Sequence, residues 1–144
     1  MIWRSSAISL ALTASLLAGG LDTIRKEPDP LRRFELALTF AETQARAARQ
    51  LVKDSGSRTE LLAQLDDVDA AAVLALESLQ ATGKRPNKLT RQYKKGEVKT
   101  LDIIRLLDDL VLALGLEDRP AAQRALDRAT VTHEEFLLGV MSGK

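Results

Sequence analysis

The sequence predicts an all-α fold: a four-helix bundle of up-down-up-down order, preceded by a cleavable signal peptide. Three observations carry this expectation. Hydrophobic residues make up 45% of the 144 positions but aromatics only 3%, so the core must be built from Leu, Ala, Val and Ile, a set that suits helices better than sheets. Four long stretches repeat apolar residues at helical spacing. Short breaks carrying cap and turn chemistry separate them.

The N-terminal segment reads as a targeting signal. Met1-Ile2-Trp3-Arg4 gives a short basic start, and Ala7 to Ala18 is apolar except for Ser9, Thr13 and Ser15. Ala18-Gly19-Gly20 supplies the small residues of a cleavage site, expected after Gly20 with Ala18 as second choice. Roughly 14 apolar residues fall short of the 20 or so that span a bilayer, so the chain is not expected to span a membrane after cleavage. Export to the periplasm or beyond is the expected destination.

Residues 21–29, with two charged clusters and Pro28, read as an extended lead-in. Asp29-Pro30 is an N-cap followed by proline at the first helical position, and the first helix is expected over 30–53. Leu31, Phe34, Leu38, Ala41, Ala45 and Val52 share one face, which Leu36, Phe40 and Leu51 widen. Ser57 with Glu60 forms a capping box for a second helix over 58–82. Its stripe is Leu61, Leu65, Val68, Ala72, Leu76 and Leu79, and Gly83 is placed to end it.

The linker 84–90, with Pro86, is the longest break. A third helix over 90–114 carries Ile103, Ile104, Leu107, Leu110, Val111 and Leu114 on its core face. Gly96 falls on that same face, at a close helix approach or an irregular start. Gly115 stops this helix, and Asp118 with Pro120 opens a fourth over 118–142, whose stripe runs from Ala122 through Phe136 to Val140. Helices of equal length joined by two short turns favour antiparallel neighbours, while the longer central linker leaves room for a crossover between two hairpins.

The 21 basic and 20 acidic residues give a net charge of +1, so global attraction to nucleic acid is not indicated. Without cysteine there is no disulfide, thiol nucleophile, covalent c-type haem or lipidated cysteine. Local charge is another matter. Gly83 to Lys99 holds Lys84, Arg85, Lys88, Arg91, Lys94, Lys95 and Lys99 against the single acid Glu97, a local excess of six positive charges. This segment reads as an anion-binding site for an anionic envelope component or an acidic protein; nucleic acid ranks low because Tyr93 is its one aromatic. The competing reading is a solvated helix start whose charges offset acids elsewhere in the bundle.

His133, the single histidine, falls in the middle of the fourth helix's stripe, where Tyr93 and Asp69 are its expected partners in a buried polar cluster. A metal site needs further ligands, and no Glu-x-x-His pair or second histidine supplies them, so neither metal nor cofactor is expected. No phosphate loop, nucleophile elbow or triad is present, and the paired acids such as Asp66-Asp67 and Asp108-Asp109 fall on outward faces. The protein is therefore read as a non-enzymatic binding protein. The alternative is a structural or adaptor bundle that binds a protein or itself through apolar helix faces, chiefly the first helix. A histidine-dependent enzyme or cofactor carrier ranks last.

Leu79-Gln80-Ala81-Thr82-Gly83-Lys84-Arg85-Pro86, the basic start of the third helix, and His133-Glu134-Glu135-Phe136-Leu137-Leu138-Gly139-Val140-Met141 together resemble a pattern in small exported bacterial helical proteins of unknown function. The resemblance covers roughly residues 30–143. It implies that the Thr-Gly-Lys-x-Pro turn and the histidine-containing end belong together, and it brings no activity, substrate or cofactor.

Overall fold

Asp29 starts the first long helix by turning its own carboxylate back on the backbone: Oδ1 accepts the Leu31 N–H at 3.1 Å, and Pro30 follows at the first helical position. Ser57 does the same for the next helix, accepting the Glu60 N–H at 3.4 Å. The computed structural model describes residues 20–142; apart from Gly20, the expected signal peptide lies outside them. These residues form α1 (Gly20–Arg25), α2 (Pro30–Lys53), α3 (Arg58–Gln80), a 3-10 turn (Pro86–Lys88), α4 (Thr90–Ala113) and α5 (Arg119–Ser142), with no strand among the described residues. The fold is all-α.

Residues 21–25, read from the sequence as extended, are helical instead. The reason lies on α2. Its apolar face is wider than α3 and α4 cover, and α1 lies along the surplus edge: Gly20 sits against the Phe40 ring, and Ile24 is buried. Phe40 is thereby 92% covered.

α2 pairs with α3, and α4 pairs with α5, as two hairpins; α2 then packs on α4 and α3 on α5. Ion pairs between the hairpins give the directions. Glu42 with Lys99 and Arg49 with Asp109 make α2 and α4 parallel, and Arg58 with Asp118 and Asp69 with Arg128 do the same for α3 and α5. α3 and α4 barely touch although they are consecutive. The simplest closure sets every successive pair side by side; here the central linker crosses a diagonal.

Apart from Phe40 beside α1, the core is aliphatic except at one end. There Phe136 of α5 lies between Phe34 of α2 (centroids 6.2 Å apart) and Tyr93 of α4 (6.1 Å, edge to face). Two glycines let these rings lie against backbone. Phe136 covers Gly96 and Tyr93 covers Gly139, where added Cβ atoms would come within 2.4 and 2.1 Å of ring carbons. The Gly96 of the sequence reading is thus a close helix approach in a regular helix.

Arg33 ties the first hairpin together: its Nε donates to the buried Ser78 hydroxyl at 2.9 Å and one Nη to the Glu27 carbonyl at 2.8 Å. Asp118 does not cap α5 with its side chain. The carboxylate accepts from Arg58 Nε at 2.5 Å, while Arg119 closes the end of α4 by donating to the Val111 and Leu114 carbonyls.

Candidate functional site

The crossover between the hairpins is built by residues 81–89. Thr82 Oγ1 donates to the Leu79 carbonyl at 2.6 Å and accepts the Lys84 N–H at 3.1 Å, while Gly83 takes φ +71°, a conformation that favours glycine. Arg85 is extended, as steric contact with the following proline requires, and Pro86 opens the 3-10 turn. Leu89 then drops into the core, 3% exposed, and pins the loop. Lys84, Arg85, Lys88 and, in the first turn of α4, Arg91 are all exposed. α4 begins without a side-chain cap and without an acid in its first turn, so the positive end of its dipole adds to these cations.

The seven cations singled out from the sequence divide here. Lys94 pairs with Glu97 at 2.9 Å, Lys95 with Glu35 of α2, and Lys99 with Glu42 of α2 at 3.0 Å. Glu42 Oε2 is buried and has no hydrogen-bond donor of good geometry, so the Lys99 ammonium is its compensation. Lys84, Arg85, Lys88 and Arg91 have no acid within ion-pair distance among the described residues. Glu35 and Glu42 stand some 60 positions from their lysines, so the local charge count could not reveal them. Along Lys94–Lys99 the offsetting reading describes the structure.

His133, Tyr93 and Asp69 do not form one polar cluster. Asp69 lies across α3 and α5 from Arg128, at 3.1 Å. Tyr93 is buried by Gly139 and Phe136, and burial, with the Glu135 carboxylate second, raises its hydroxyl above the usual tyrosine range. His133 is half-buried, and its Nδ1 lies 2.9 Å from Thr100 Oγ1 and 3.0 Å from the Glu97 carbonyl. The buried Thr100, which sequence reading missed, spends its one hydrogen on the Gly96 carbonyl at 2.7 Å, and a carbonyl can only accept. Nδ1 therefore carries the proton and donates. This places the histidine as a tie between α4 and α5. His133→Ala should lower unfolding free energy by about 1 kcal/mol in a denaturant titration and leave ligand binding unchanged.

Two further sites have some shape. A cleft of about 190 Å³ between α3 and α5 is lined by Asp66, Asp69, Arg124 and Arg128, of which Asp69 and Arg128 already pair with each other at 3.1 Å. A groove of about 520 Å³ beside α1 and α2 is floored by Ile24, Leu36 and Phe40, with Thr39 and Thr43 alongside. No group of three or more His, Cys, Asp or Glu among the described residues is arranged to hold a metal.

Asp67 has a carboxyl shifted upward, first by desolvation and then by Asp66 and Asp22, with Arg25 opposing. A raised folded-state value means that the folded chain holds this proton more tightly than the unfolded chain. Stability from this group is greatest below the ordinary aspartate range and falls as pH rises through the folded-state value. Asp67→Asn should therefore raise the Tm at pH 7, with the gain shrinking as the pH is lowered toward 4; a gain independent of pH would contradict this.

Compared with protein-family models, curated proteins and solved structures, the chain matches none.

Proposed function

We propose that this protein is a non-enzymatic, exported four-helix bundle that binds an anionic partner through Lys84, Arg85, Lys88 and Arg91 at its crossover end. One observation carries the reading: after the fold has paired Lys94, Lys95 and Lys99 internally, four neighbouring exposed cations around the start of α4, which has no side-chain cap, are left without acids among the described residues. Lysines and arginines beside a positive helix end oppose the dipole and repel one another. Stability alone does not select them there, whereas an anionic ligand turns both costs into attraction.

The test is a heparin titration across a salt series, comparing the wild type with Lys84→Gln/Arg85→Gln/Lys88→Gln/Arg91→Gln. Binding that weakens with salt and is lost in the variant is expected. Binding indifferent to both removes the reading.

A second reading, an adaptor that docks a protein along the first long helix, draws on the groove floored by Ile24, Leu36 and Phe40. It is the weaker, because α1 already covers Phe40, the largest side chain of the apolar edge that suggested it.

A further inference from the structure

The crossover end carries a second unusual feature. Leu137, Leu138 and Met141, on the last turns of α5, are 37%, 55% and 61% exposed. They lie on the opposite side of the helix from the buried Thr132, Phe136 and Gly139. Singly exposed leucines are ordinary, but these three fall within five residues; α5 packs against the 3-10 turn that holds Lys88, and its Gly139 lies against Tyr93 near the start of α4. Apolar side chains contribute nothing to binding a sugar polyanion. Cations at headgroup level beside apolar side chains in the interface are what an anionic bilayer surface requires.

We propose that the anionic partner is a phospholipid bilayer surface, with Lys84, Arg85, Lys88 and Arg91 on the headgroups and Leu138 and Met141 entering the interface. The proposal rests on the reading that the crossover cations make the contact. No described helix is long and apolar enough to cross a membrane, so this contact is peripheral. Glu134 and Glu135, exposed one to two turns back along α5, oppose laying that helix flat on a negative surface. The molecule therefore stands on its crossover end. Leu112 and Leu116, about 80% exposed at the far end, provide an internal control, because Asp108, Asp109 and Glu117 are their neighbours in the chain.

The experiment is co-sedimentation of the purified protein with phosphatidylglycerol-containing and pure phosphatidylcholine vesicles, with heparin binding measured in parallel. Every variant keeps the same N-terminus, so the basic and apolar segment before Gly20 contributes equally to all of them and cancels in the comparison between variants. Anionic vesicles should bind the wild type. Leu138→Ser/Met141→Ser should weaken that binding by about tenfold without changing heparin affinity, and Leu116→Ser should change neither. Heparin binding without vesicle binding, or vesicle binding unaffected by Leu138→Ser/Met141→Ser, overturns the lipid assignment and leaves a soluble polyanion as partner. No binding to either probe removes both readings.

Discussion

Phe136→Ala should cost about 3–5 kcal/mol of unfolding free energy, the range of the costliest core truncations. The ring is fully buried, touches Phe34 and Tyr93, and covers the Gly96 backbone. Around it the structure has little to collapse with, because Gly96 has no side chain and Thr100 is held by the Gly96 carbonyl and His133. The reciprocal contact makes a sharper version of the same test. In an ordinary helix interior, Gly→Ala stabilises by about 1 kcal/mol. At Gly139 the new methyl would meet Tyr93 Cδ1 at 2.1 Å, at the base of a buried ring that cannot swing aside. Overpacking of that kind costs about 1–3 kcal/mol, so Gly139→Ala should be net destabilising in a urea titration. A stabilised variant would mean that α4 and α5 do not approach at this glycine.

Neutralising Lys84, Arg85, Lys88 and Arg91 should weaken polyanion binding by at least about a hundredfold at low salt, taking about 1 kcal/mol for each cation at an anionic surface. Neutralising Lys94, Lys95 and Lys99 with glutamine should do much less to binding, because Glu97, Glu35 and Glu42 already hold them. The second set should show instead in stability, and modestly: exposed pairs contribute about 0–1 kcal/mol each. Only Lys99, which compensates a buried Glu42 oxygen, is expected to exceed that range. The two sets differ by one charge and adjoin in sequence, so equal losses of affinity would show that charge density, and not freedom from internal pairing, governs the contact.

How far the sequence reveals this protein follows from the range of the interactions involved. The starts of α2 and α3 are legible because Asp29 and Ser57 reach N–H groups only two and three residues away. The end of α3 is legible because Gly83 alone meets the demand for positive φ there. The neighbour order of the helices is not legible, since it is set by pairs such as Asp69–Arg128 and Arg58–Asp118, some 60 residues apart. α1 leaves only an indirect trace: the surplus apolar edge at Phe40 requires a cover, and six residues with a single buried isoleucine provide it. In the candidate site, the basic run is plain in the sequence, but which of its cations remain free depends on acids of α2 that only folding brings near. His133 is found by its wheel position, whereas its partner Thr100 is not, because a threonine is polar and does not count toward an apolar stripe even where, as here, it is buried.

The most direct test of the central claim is an amide chemical-shift map of the protein titrated with a heparin oligosaccharide at low salt and again at high salt. Perturbations are expected at residues 83–92, scaling with occupancy and vanishing at high salt, with little change along Lys94–Lys99 and none in the groove at Ile24, Leu36 and Phe40. Shifts centred on that groove, or spread evenly over every basic residue, would contradict the assignment of the crossover cations as the binding site.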